Sequence, residues 1–148
     1  MDLLNYIQTL TILQLSEKEI SLTVDVTPSD LTLAADKHQI EQILLNLISN
    51  AADAISSNSD RQVQIKAFID SRQRPVIQVS DKGCGIPENQ LNDIFTPFFT
   101  TKDSGTGIGL SLSRQLARMN HASLNVQSEM GVGSTFSVLF DRDRLLVL

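Results

Sequence analysis

Lys37-His-Gln-Ile40-Glu-Gln-Ile43-Leu44-Leu-Asn46-Leu47-Ile-Ser-Asn50-Ala51-Ala-Asp53-Ala54-Ile55-Ser56 is the stretch on which the fold turns. Apolar residues at 40, 43, 44, 47, 51, 54 and 55 form a sustained 3.6-residue stripe, and Asp36 stands where a cap belongs, so the pattern predicts a helix from Lys37 to about Ser56. Beside that stripe, Asn46, Asn50 and Asp53 fall at i, i+4 and i+7 and share one narrow line of the helix. Asn and Asp are poor helix formers, each costing about half a kcal/mol against Ala in a helix interior. A solvated face accounts for any one of them, but three in line beside an apolar face point to a ligand. Oxygen-bearing side chains on a rigid helix suit Mg²⁺, which takes one or two protein oxygens and leaves its other positions to water and phosphate.

Working outward, Leu3, Leu4, Ile7, Leu10 and Leu13 recur at near-helical spacing over residues 2–15, and Ile20 to Val26 alternates at period two. The turn Thr27-Pro28-Ser29-Asp30 leads to a second strand, Leu31 to Ala35, expected to pair with the first as a hairpin-like unit. Beyond the long helix, Gln62–Ile69 and Pro75–Ser80 flank the polar turn Asp70–Arg74 and read as an antiparallel hairpin. Residues 81–107 hold Gly83, Gly85, Pro87, Pro97, Gly105 and Gly107, an irregular stretch with one short helix near 88–94. Loops of that length in a compact domain are usually functional lids or disordered. A helix from about Ile108 to Met119 follows, then strands Ser123–Ser128 and Ser134–Phe140 joined by the turn Glu129–Gly133. The fold class is therefore α+β, a two-layer α/β sandwich whose mixed, mostly antiparallel sheet carries helices on one face.

Length and charge narrow the partners. At 148 residues the chain fits one domain without repeats, and a chain of this size buries roughly 68–70% of its unfolded surface, enough to fold without staples. A single cysteine, Cys84, excludes an internal disulfide and suits a reducing compartment. Twelve basic against 17 acidic residues leave a net charge of −5, which argues against a nucleic-acid backbone or a polybasic membrane contact. The longest purely apolar run is Leu145 to Leu148, far short of the ~20 residues of a bilayer span, so a cytoplasmic location is expected.

Three further constellations carry chemistry. Asp81-Lys-Gly83-Cys-Gly85-Ile86-Pro87 follows a strand directly, and an Asp at a partly buried strand end suits an exocyclic amine such as that of adenine, the plain alternative being an Asp turn. Gly105-Thr106-Gly107-Ile108-Gly109-Leu110 opens a helix, where free N–H groups and the positive dipole end favour an anion, with Lys102 just ahead. Its spacing is neither that of a Rossmann dinucleotide loop nor that of a Walker loop. Phe95, Phe98 and Phe99 crowd around Pro97, marking either a docking surface or a satellite cluster that tucks the loop onto the core.

In this order, Asn46–Asp53, Asp81–Ile86, Phe95-Thr-Pro97-Phe98-Phe99, Gly105–Leu110 and Gly131-Val-Gly133-Ser-Thr135-Phe136 resemble the N, first glycine, F, second glycine and third glycine boxes of the ATP-binding domain of bacterial sensor histidine kinases, in the GHKL superfamily. The resemblance covers nearly the whole chain. It implies the Bergerat ATP-binding fold, with ATP and Mg²⁺ as ligands. By that likeness Asn50 would coordinate Mg²⁺, with Asn46 lining the same site. Asp81 would hold the adenine amine in a pocket shaped by Gly83 and Gly85. Gly105, Thr106, Gly107 and Gly109 would receive the phosphates, and Lys102, in a Phe-Phe-Thr-Thr-Lys run seen in a nitrogen-regulator-like subset, would add positive charge. Ile86, Phe95, Ile108, Leu110 and Thr135 in the same boxes, and Asp53 on the asparagine stripe, complete the nucleotide-binding set. Residues 88–106 would form the ATP lid.

Position 46 discriminates within the superfamily. Its hydrolytic members and the anti-sigma serine kinases carry glutamate there, whereas a neutral amide is no general base. That favours transfer to a histidine, itself nucleophilic at neutral pH, over hydrolysis; the alternatives are a nucleotide-sensing module without transfer, or an anti-sigma-type serine kinase. The histidines His38 and His121 lack the context of a phosphoacceptor, so the expected partners are a separate histidine phosphoacceptor and dimerisation domain and, downstream, a response regulator. The departure from the family's His-Gly-Gly turn, His121-Ala122-Ser123, places the left-handed cap at Asn120, and Asp53 stands where many relatives have Lys.

Overall fold

The computed structural model describes residues 2–55, 60–99 and 108–146. Helix α1 (Asp2–Glu17) leads to β1 (Ser21–Val26) and the short β2 (Thr32–Leu33), then α2 (Lys37–Ala54), β3 (Asp60–Ile69) and β4 (Pro75–Lys82). A single 3₁₀ turn, Glu88–Gln90, stands where a short helix over 88–94 was expected. The chain continues through α3 (Gly109–Met119), β5 (Ala122–Glu129), β6 (Gly133–Phe140), a 3₁₀ turn and β7 (Leu145–Leu146).

Five strands make one mixed sheet in the order β1-β3-β4-β6-β5, parallel only between β1 and β3, and the helices pack on one face, as the α+β sandwich expectation required. The core follows from the two periodicities. α2 buries Ile40, Ile43, Leu44, Leu47, Ile48, Ala51 and Ala52, starting where the Asp36 side chain accepts the Gln39 N–H at 3.1 Å. On the sheet, Ile65, Val79 and Phe136 lie side by side across three strands, as do Ala67, Ile77 and Val138, all facing the helices. The alternate positions of β4 and β6 make a polar ladder on the other face, with Gln78 donating to Ser137 at 3.2 Å and Ser80 meeting Thr135 at 3.1 Å.

Two expectations about connections are corrected. The strand at 31–35 does not form a hairpin with β1. Leu31 N–H closes the turn on the Pro28 carbonyl, β1 pairs with β3 instead, and β2 pairs with β7, Thr32 opposite Leu146. Thr-Pro-Ser-Asp has no glycine or asparagine, and its Pro28 fixes φ negative, so it lacks the Asn-Gly or Asp-Gly pair that a tight hairpin turn favours. The left-handed residue after α3 is His121 (φ 57°), whereas Asn120 sits at φ −105°. Asn120 instead ties two helices together: its carboxamide oxygen accepts the Asp36 N–H at 2.7 Å, and its amide donates to Gln39 and to the Leu116 carbonyl. In α1, Leu4, Ile7 and Leu15 are buried while Leu10 and Leu13 face outward.

Candidate functional site

The helix-facing row of β4 runs Ile77, Val79 and then Asp81, so a carboxylate stands where the next apolar residue would stand. Asp81 is 7% exposed. Its carboxylate accepts the Gly83 N–H at 2.8 Å and the backbone N–H of Ser134, its cross-strand neighbour. Burial raises the Asp81 pKa above the ordinary carboxylate value, and those two backbone donors partly offset the rise. The result is a buried acceptor, fixed by backbone donors, at the mouth of the sheet.

Around it the backbone is compact. Gly85 takes φ +79°, and a Cβ there would strike the Glu129 carbonyl, so the loop after β4 docks on the β5–β6 turn, with Gly131 N–H donating to the Cys84 carbonyl at 2.9 Å. The close approach at Gly85 is therefore to the protein's own backbone. The Ile86 N–H donates to the Ser128 hydroxyl at 2.7 Å, and that hydroxyl also meets Ser134 Oγ at 2.7 Å.

Ser134, 5% exposed, thus borders Asp81, and Thr135 does not. Assignment of Thr135 to the nucleotide set is corrected: its hydroxyl pairs with Ser80 on the opposite face, since successive strand residues point to opposite sides. The signal that identifies Ser134 is the β4–β6 register, which follows from aligning the two apolar rows.

On the helical layer, Asn46 and Asn50 are half-buried on α2, which packs against both β4 and α3. The Asn46 amide donates to Ser113 Oγ at 3.0 Å, and its oxygen lies where a Cβ on Gly109 would go. Asn46 therefore fixes the start of α3. Among the described residues that start has no side-chain cap, and its first turn holds no acid: Ile108 is the cap residue, 42% exposed, and Leu110 packs on the core. The first-turn N–H groups carry the positive end of the helix dipole. Asp53 departs from the expected stripe role: it is exposed and pairs with Lys18 Nζ of α1 at 3.2 Å, which draws its carboxylate toward α1.

The phenylalanine cluster divides between its two readings. Phe95 and Phe99 pack on the core, with the Arg114 guanidinium 4.7 Å from the Phe95 ring centroid, while Phe98 is 78% exposed at φ +71°. Lys102, Gly105, Thr106 and Gly107 lie outside the described residues, as does part of the 88–106 segment. Buried Asp81, the serines beside it, Asn50 and the uncapped start of α3 are carried by elements that pack on one another. Together they offer an acceptor for an amine, an oxygen ligand on α2 and a donor cluster for an anion.

The sheet and its one-sided helices define a class, the two-layer α+β sandwiches. The chain belongs to the family of histidine kinase-, DNA gyrase B- and HSP90-like ATPases, whose model matches residues 35–144. Among curated proteins it is similar to the signal transduction histidine-protein kinase AtoS of Escherichia coli K12, 41% identical over 71% of this chain and 17% of that protein. It is also similar to the sensor protein kinase PilS of Pseudomonas aeruginosa, 35% identical over 84% of this chain and 24% of that protein. The chain thus spans a quarter or less of the length of these relatives. Among solved structures, the nucleotide-free catalytic domain of histidine kinase ThkA superposes with a TM-score of 0.82, at 29% identity, over 95% of this chain and 91% of that one. Full-length ShkA in complex with AMPPNP gives 0.85, at 26% identity, over 99% and 30%. ThkA in complex with the response regulator TrrA gives 0.77, at 26% identity, over 94% and 39%.

Proposed function

We propose that this chain is the catalytic domain of a sensor histidine kinase, which binds Mg-ATP and passes the γ-phosphoryl group to a histidine on a separate dimerisation domain. The observation that carries this reading is Asp81, a buried carboxylate held by backbone N–H groups at the end of β4, the strand against which α2 packs. An adenine amine donates to Asp81, and Ile86, Phe95, Ile108 and Leu110 supply apolar surface around the nucleoside. The phosphate chain meets the first-turn N–H groups at Gly109 and Leu110, with Lys102, Gly105, Thr106 and Gly107 assigned to the same task by their place just ahead of α3. Asn50 would hold Mg²⁺, which neutralises phosphate charge when bound. Asn46, tied to Ser113 and lacking a basic oxygen, leaves water unactivated from that position, so hydrolysis is slow and the acceptor imidazole is the nucleophile. Catalysis by this domain is positioning and charge stabilisation.

ThkA in complex with its response regulator supports a response regulator as the downstream partner here. The Phe98-Phe99-Thr100-Thr101-Lys102 run supports placement in the nitrogen-regulator-like subset. Among the described residues no helix is long and apolar enough to cross a membrane, and we place the domain in the cytoplasm, where ATP is supplied.

The test is transfer from labelled Mg-ATP to a separately expressed acceptor domain. Label is expected on the acceptor and lost when its histidine is replaced. Intact ATP binding with no labelled acceptor would instead make this a nucleotide-sensing module.

A further inference from the structure

At the end of the sheet away from Asp81, a cavity of about 280 Å³ opens between the last turn of α3, the start of β5, the end of β6 and the β3–β4 turn. Arg74, Arg118 and His121 line it together with Ser123, Leu139 and Asp141. In a chain of net charge −5, this lining sets two guanidiniums against the one carboxylate of Asp141. More broadly, Arg72, Arg74, Arg118, Arg142 and Arg144 all fall on segments at this end of the sheet.

The arrangement is held by backbone. His121 adopts φ 57°, its N–H donates to the Arg118 carbonyl at 3.2 Å, and its carbonyl accepts the Asp141 N–H at 3.0 Å. These bonds tie the helix end that carries Arg118 to the strand end that carries Asp141. Asp70 holds Arg74 through Nε at 3.0 Å and one terminal nitrogen at 2.9 Å, which leaves the other edge of that guanidinium available. Arg118, in the last turn of α3, pairs with no carboxylate among the described residues.

The geometry points to a binding site for a protonated phosphate group, inorganic phosphate or a phosphate monoester, at this cavity and separate from the nucleotide site. Arg118 and the outer edge of Arg74 donate to phosphate oxygens, with His121 and the Ser123 hydroxyl as further donors. Asp141 supplies the selectivity. A carboxylate on the rim of a cationic cavity repels an anion that has no proton, but accepts from the P–OH that phosphate keeps near neutral pH. Sulfate has the same shape and no such proton.

The experiment is titration of the isotope-labelled chain with inorganic phosphate, glycerol phosphate or sulfate at pH 6.5 and fixed ionic strength, following backbone amide shifts. Expected are saturable shifts at His121, Ser123 and Asp141 that share one midpoint, distinct from that of any shift at Gly109, and sulfate binding at least fivefold weaker. Tighter binding of glycerol phosphate than of inorganic phosphate would mark the monoester as the source, and the reverse would mark the free ion. Arg118→Gln should weaken phosphate at least fivefold. His121→Gly should do likewise without unfolding, because glycine prefers the left-handed backbone already present there. Asp141→Asn should erase the preference over sulfate. Linear, non-saturating shifts, or unchanged binding in both Arg118→Gln and His121→Gly, would overturn the assignment.

Discussion

At the scale of single residues, Asp81 combines two opposing requirements. Burial raises its pKa, so the folded state prefers the neutral carboxyl; the associated stability is present below the unfolded value of 3.8 and is lost as pH rises through the raised folded value. An ionised Asp81 in the folded state therefore costs stability, a cost that the proposed role as acceptor for an adenine amine would explain. Asp81→Asn keeps an oxygen for the Gly83 N–H and loses the acceptor for the Ser134 N–H while removing a buried charge, so the ligand-free variant should unfold in urea at pH 7 within about 1 kcal/mol of the parent. Its affinity for ATP should fall about 10- to 100-fold, the worth of a hydrogen bond to a charged acceptor at about 1.5–3 kcal/mol. Titration calorimetry across pH should show ATP affinity in the parent declining on acidification at a higher pH than an unperturbed aspartate would give; a pH-independent affinity between 4 and 7 would remove Asp81 from the site. Much of this residue was readable, because an acid that ends an apolar strand just before glycines is a local pattern. Ser134 was not: a one-residue slip moves a strand residue to the other face, and motif spacing alone does not decide between Ser134 and Thr135.

Among elements, the junction of α2 and α3 places the two halves of the site. Gly109 begins α3 because the Asn46 carboxamide occupies the space of its side chain. Gly109→Ala should thus destabilise the domain by about 1–3 kcal/mol through overpacking, despite the better helix propensity of alanine. In an Asn46→Ala background the same substitution should become neutral or stabilising, since the obstruction is gone. A double-mutant cycle by urea denaturation measures this, and additive effects would mean that the contact does not position α3. α2 was legible down to its cap, because its stripe and Asp36 are local signals. The pairing of β2 with β7 was not, since two-residue strands have no periodicity to read and their partners lie at opposite ends of the chain.

For the whole molecule, charge sets the conditions of binding. On the proposed function, a chain of net charge −5 would take up ATP through its few local donors and Mg²⁺. With EDTA in place of Mg²⁺, ATP affinity by calorimetry should fall more than tenfold, while the melting temperature of the ligand-free chain stays the same; equal affinity in EDTA would dismiss the metal role of Asn50.

The sheet order also has a consequence for how the protein is made. Asp81 acquires its neighbour Ser134 only when β6 inserts between β4 and β5, and β6 is the last long strand in the sequence. A ribosome that has translated α2, β3 and β4 has made the asparagines and the aspartate, yet the nascent chain still lacks the strand that brings Ser134 beside Asp81. On the function proposed above, nucleotide capture would therefore come after the synthesis of residue 140, with ATP a ligand of the finished domain rather than a template for its early folding.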